Sequence, residues 1–149
     1  MSNGRGPPLK IALVSCVKTK QSVPAPAGEL YTSNLFRSLR AYASRQADCW
    51  YVLSAEHGLL APETVIAPYE RTLNRMPIAD RRAWAARVCH SLSEAIPSDA
   101  SILMLAGERY RENLMPWLAA RDHTVEVPLA GKRLGHQLSW LRDQMGRSV

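Results

Sequence analysis

The chain has 149 residues, 46% of them apolar and 21% charged, which is room for one domain with a single real core in a composition ordinary for a globular protein. No stretch approaches the roughly 18–20 unbroken apolar residues of a membrane span, so no membrane partner is expected, and the start, MSNGRGPPLK, lacks the apolar segment of a secretory signal. The formal net charge of +6 suits a polyanionic partner, either nucleic acid (DNA first) or a nucleotide, although the basic residues are scattered rather than gathered in one block.

In chain order, residues 1–8 read as a loose Gly/Pro/Asn tail and residues 9–149 as a single domain. LKIALVS, 9–15, is a continuous apolar run with β-branched members, the pattern of a strand buried on both faces. A polar loop, 16–32, leads to Ser33, an N-cap for a helix over 34–46 with Leu35, Phe36, Leu39, Tyr42 and Ala43 on one stripe. CWYVLS, 49–54, is a second buried strand. Residues 55–76 are too long for a routine connection, and their interleaved Leu, Val, Ile and Tyr argue against disorder. A helix over 77–95 opens on Pro77, which suits a first turn, and carries Ile78, Ala85, Val88, Cys89, Leu92 and Ala95 on its apolar face. SILMLAG, 101–107, is a third strand; 108–121 reads as a helix that Pro116 should kink or shorten. HTVEVP, 123–128, is a fourth strand, 128–135 a loop and 136–145 a last helix.

Strand and helix thus alternate four times. That order predicts an α/β class: a single Rossmann-like, three-layer domain of about four parallel strands with helices on both faces. In such sheets ligands bind beyond the carboxyl ends of the strands. The segments just after those ends, 16–32, 55–76, 107–110 and 128–136, hold most of the unusual residues.

After the first strand, Ser15, Cys16, Lys18 and Lys20 combine a hydroxyl, a thiol and two ammonium groups, a set able to hold phosphate although GxxxxGK[ST] is absent. Tyr31 and Ser33 stand before the first helix: Tyr31 can stack on a base or cover the core edge, and Ser33 can face an anion or simply cap. After the second strand come Ser54, Glu56, His57 and Gly58. Glu56 and His57 are suited to acid–base work, and Gly58 to a turn with positive φ. Tyr69 and Glu70 pair an aromatic with a carboxylate that could support a sugar cation or orient a water. After the third strand, Gly107 permits close backbone approach, with Arg109 and Tyr110 beside it. Lys132, Arg133, His136 and Gln137 follow the fourth, in a glycine-flanked basic loop. Each group also has a plain reading, as cap, turn or solvated surface.

Cys16, Cys49 and Cys89 form no CxxC pair and are odd in number, which speaks against a disulfide framework and for a reduced, cytoplasmic setting. His57, His90, His123 and His136 form neither HxH nor HxxxH. No metal and no cofactor is expected.

The set SCVKTK, LYTSNLF, WYVLSAEHGLL, PYERTL and LAGERYRENL, covering nearly all of 10–145, resembles an uncharacterised family of small bacterial and phage domains. That family is distantly similar to YaaA-type peroxide-stress proteins and to the core domain of archaeosine synthase. The chain departs from the pattern at Val17 and Thr19, where relatives often carry serine or another small polar residue, and at Glu70, where aspartate is common. The resemblance implies a Rossmann-like domain connected to nucleic acids or modified nucleobases, with glycosylase-like chemistry as an analogy within the fold group.

The expected function is therefore a nucleobase-directed hydrolase, of DNA glycosylase type, that cleaves or exchanges an N-glycosidic bond in DNA or a nucleotide. Glu70 and then Glu56 would supply the carboxylate, His57 or His136 a donor to the departing base, Tyr31 or Tyr69 a stacking wall, and Lys18, Lys20, Arg109, Lys132 and Arg133 the phosphate contacts. The alternatives are a non-catalytic nucleic-acid-binding module and a small-nucleotide hydrolase or sensor.

Overall fold

The computed structural model describes residues 8–15 and 22–146. The tail at residues 1–7, together with Cys16, Lys18 and Lys20, lies outside the described residues.

Strand β1 (Lys10–Ser15) is buried from Ile11 to Ser15, as a strand covered on both faces must be. It lies at the centre of a five-stranded sheet. On one side it pairs in parallel with β3 (Cys49–Ser54), Ser15 opposite Leu53. On the other it pairs in parallel with β6 (Ser101–Leu105), Val14 opposite Leu105. Beyond β6 lies β7 (Thr124–Glu126), also parallel. The four parallel strands are those expected. The fifth, β4 (Gly58–Leu60), was hidden in the long loop: it returns antiparallel along β3 through a tight turn and forms the other edge, giving the order β4-β3-β1-β6-β7. Gly58 starts it with φ at 74°, a left-handed conformation that a side chain would strain.

Helix α2 (Asn34–Gln46) starts as expected, with the Ser33 hydroxyl accepting from the Phe36 amide at 3.1 Å, and buries Phe36, Leu39, Tyr42 and Ala43. It packs beside α6 (Leu134–Gly146), where Trp140 meets Tyr42 edge to face at 5.2 Å. The reversal of strand order at β1, with right-handed crossovers, puts α3 (Ile78–Ala95) on the opposite face. Trp84 anchors α3, fully buried, with Ala85, Val88, Cys89 and Leu92. The expected face erred at its ends, since Ile78 and Ala95 are exposed. The expected helix over 108–121 divides into α4 (Glu108–Arg111) and α5 (Met115–Ala120), with Pro116 in the first turn of α5. A proline there needs no amide donor, whereas in mid-helix it would clash with the preceding turn.

The two long loops are stitched together. Strand β2 (Ala25–Pro26) pairs antiparallel with β5 (Val65–Ile66). Just after it, α1 (Ala27–Leu30) donates from Ala27 and Gly28 to the carbonyls of Thr64 and Pro62 at 2.7 and 2.8 Å. Gly28 suits this approach, because a Cβ would stand 3.1 Å from Pro62 and 3.2 Å from Trp50, and those neighbours would have to give by a few tenths of an ångström. A 3₁₀ turn (Leu73–Arg75) then buries Leu73 and delivers the chain to α3.

Candidate functional site

The carboxyl ends of β3 and β1 lie side by side and differ in kind. At β3 the polar groups face inward. Ser54 is fully buried, and its hydroxyl donates to the Tyr69 hydroxyl at 2.9 Å and accepts from the His57 amide at 3.0 Å. The Tyr69 hydroxyl is hydrogen-bonded in turn to that of Tyr31. The Ser54 carbonyl accepts from the Trp84 indole at 2.8 Å, and Trp84 meets the Tyr110 ring edge-on at 5.6 Å. The Tyr31 ring packs against Phe36 at 4.9 Å, and the His57 ring stands against Tyr69 at 5.7 Å. These hydroxyls close a turn and fix an otherwise irregular segment, since a buried hydroxyl without a partner is costly.

At the ends of β1 and β6 there is a cleft of about 400 Å³. Leu35, Leu39, Leu105 and Leu129 line it as apolar walls, while Ser15, Gly107, Glu108, Arg111, Lys132 and Gln137 bring polar groups. The Ser15 hydroxyl accepts from the Gly107 amide at 3.2 Å, tying β1 to the turn after β6. Arg111 donates to the Ala106 carbonyl at 2.9 Å, which holds its guanidinium against the strand end. Gln137 donates to the Lys132 carbonyl at 2.8 Å and fastens the basic loop to α6. Gly131, at φ 75°, turns that loop. Concave, mostly apolar, with a few fixed polar groups, the cleft has the size and make-up of a small-ligand site.

Of the expected site residues, the cleft gathers Ser15, Gly107, Lys132 and Gln137. Ser54, Tyr69, Tyr31 and Tyr110 are buried in the fold, so their rings are not open faces for a base. Ser33 caps α2, and Gly58 starts β4. Glu56, His57 and Glu70 are exposed on the segment around the β3 end; Glu56 pairs with Arg71 at 3.4 Å. Arg109 is exposed on α4 and pairs with Glu112 at 3.6 Å, outside the cleft lining. Arg133 and His136 are exposed and also outside it.

Arg111 and Glu108 are the polar cleft residues that the sequence reading passed over. Arg111 carries a usable signal: it stands one helical turn after Gly107, so it returns to the strand end where that glycine sits. Among the described residues no group of three or more His, Cys, Asp or Glu is arranged to hold a metal ion. Nor is any helix among them long and apolar enough to cross a membrane. The two described cysteines are unpaired. Burial pushes the Cys89 thiol up to about 11, and burial with the nearby Asp48 charge raises Cys49, so neither is poised as a thiolate.

A relative from Bacillus subtilis (strain 168), "Uncharacterized protein YfjM", is 26% identical over 146 residues, covering 89% of this chain and 92% of its own length. No solved structure matches the chain. The model of a family of unknown function, DUF6884, matches residues 11–143. That match runs from β1 to α6, through both strand ends described above, and the chain belongs to this family of unknown function.

Proposed function

We propose that this protein is a nucleobase-directed enzyme that cleaves or exchanges an N-glycosidic bond in DNA or a nucleotide. One observation carries the reading: a nucleotide-sized cleft with leucine walls and two cations, Arg111 and Lys132, opens at the carboxyl ends of β1 and β6, and exposed Glu56, His57 and Glu70 follow the carboxyl end of β3, the strand paired beside β1, without lining the cleft themselves. The apolar walls would take a base, and the cations a phosphate. Glu70 would support the sugar cation or orient the attacking water: it follows Tyr69 and is in no ion pair among the described residues, whereas Glu56 is engaged by Arg71. His57 would donate to the departing base. Tyr31 and Tyr69 serve as scaffold. The likeness to YaaA-type proteins and to the archaeosine synthase core adds support by analogy, and the chemistry is expected to run in the cytoplasm.

The test is incubation of purified protein with modified and unmodified DNA and with mononucleotides, followed by mass spectrometry for free base and by alkali cleavage at abasic sites. Base release that drops about 100-fold or more in Glu70→Ala is expected for a group in acid–base or cation-stabilising work. Full activity in that variant overturns the role of Glu70. Salt-sensitive retention of DNA without base release would favour the second reading, a non-catalytic nucleic-acid-binding module, which the net charge of +6 supports.

A further inference from the structure

Away from the strand ends, α3 and α5 enclose a groove of about 600 Å³. Ala85 and Ala86 keep part of its lining small, and Arg82, Arg121, His90, Asn113 and Ser93 bring polar groups to it. No carboxylate lines it among the described residues, although Glu94 lies 3.5 Å from His90. The neighbouring arginines of α3 differ in use. Arg81 is tied to Glu112 at 3.1 Å and to the Met76 carbonyl at 2.6 Å, as a structural staple. Arg82 and Arg87 are exposed and have no ion pair among the described residues. Arg121 is held ready: its guanidinium lies 4.8 Å above the Trp117 ring, and Trp117 stacks on His123. A cation positioned in this way loses less side-chain freedom when it meets an anion. On the other flank of α3, Arg71 and Arg87 line a second hollow with Asp80. Arg71 also pairs with Glu56, so the basic face runs up to the candidate site.

We infer that this face holds the sugar–phosphate backbone of a single polynucleotide strand, with Arg82 and Arg121 on successive stretches of backbone and the strand's target base delivered toward the strand-end cleft. The inference rests on the reading that the substrate is nucleic acid and names where the polymer lies. A groove of about 600 Å³ has room for a short length of one backbone but not for a duplex. Because Trp117 is covered by Arg121 and His123, the groove offers charge more than stacking, and binding should be indifferent to sequence. An acidic membrane surface fits less well, since none of the exposed large apolar side chains among the described residues lines the groove.

The test is fluorescence anisotropy of a labelled single-stranded oligonucleotide of about 12 nucleotides across a salt series. In Arg82→Ala/Arg121→Ala, affinity at low salt should fall about 10-fold or more, and the slope of log K against log salt should flatten by about 1.4. Arg82→Lys/Arg121→Lys should keep most of the binding, and Arg37→Ala, exposed on α2 across the sheet, should behave as wild type. Equal loss in Arg37→Ala, an unchanged double variant, or no binding by the wild type overturns the inference. So does retention by phosphatidylserine vesicles without oligonucleotide binding. Base release from mononucleotides with no oligonucleotide binding sinks this inference and keeps the enzyme reading; groove-dependent binding without base release does the reverse.

Discussion

At the carboxyl end of β3 the polar groups are taken up by other parts of the chain: Ser54 by Tyr69 and His57, Tyr69 by Tyr31, and the Ser54 carbonyl by Trp84. Two strands away, at the end of β6, Arg111 and Lys132 reach into a cleft that the protein leaves open. Both regions carry residue types that a sequence reader marks as functional. The difference is enclosure. Hydroxyls and rings sealed from water must satisfy one another, and they then act as structure. Cations and a glycine turn around a hollow have capacity to spare, and they can act on a ligand. Among the described residues, no buried side-chain nitrogen or oxygen lacks a partner, so the β3 end has nothing left to offer except through the exposed Glu56, His57 and Glu70 on its rim.

If that division holds, substitutions at the two ends should separate stability from binding. The largest effect falls at Trp84, which fills the space under β3, donates to Ser54 and packs on Tyr110. Trp84→Ala should cost about 3–5 kcal/mol, lowering the thermal midpoint by roughly 10 °C for a chain of this size. A melt within a few degrees of wild type would mean that the β3 end is not the rigid member of the pair. Tyr69→Phe comes next. It keeps the ring, removes the hydroxyl between Ser54 and Tyr31, and should cost about 1–3 kcal/mol in urea unfolding, with little change in the slope. A neutral result would show that the hydroxyl chain is dispensable.

The same contrast explains what was legible beforehand. The parallel sheet, the α2 cap at Ser33 and the break at Pro116 follow from local rules, and each formed. Ser54 and Tyr69 were marked because they follow a strand or sit in a long loop, which tells where a residue lies in sequence but not whether water reaches it. Their burial depends on β2 pairing with β5 and on Trp84 arriving from α3, both of which are long-range. Leu35 gave the opposite difficulty: read on the inward stripe of α2, it is half-buried and helps to wall the cleft, while Leu39 of the same stripe is core and cleft wall at once. The α3–α5 groove was hidden because Arg82 and Arg121 are far apart in sequence and come to line one groove only in the folded chain.

The smallest stability effect is expected at Lys132, and it sharpens the comparison most. Its backbone already serves the loop, with the amide donating to the Leu129 carbonyl at 3.1 Å and the carbonyl accepting from Gln137. Alanine keeps both of those bonds and removes only the ammonium group over the cleft. Lys132→Ala should therefore leave folding stability within about 0.5 kcal/mol, as for surface changes that break no network. Affinity for a nucleoside monophosphate, measured by titration calorimetry at low salt, should fall about 10-fold for the loss of one partly shielded charge contact. If stability fell with affinity, the rim of the cleft would be structural after all, and the two strand ends would differ in degree rather than in kind. If stability held and affinity fell, the phosphate end of the site would be fixed at Lys132, with the base directed inward between Leu35, Leu105 and Leu129.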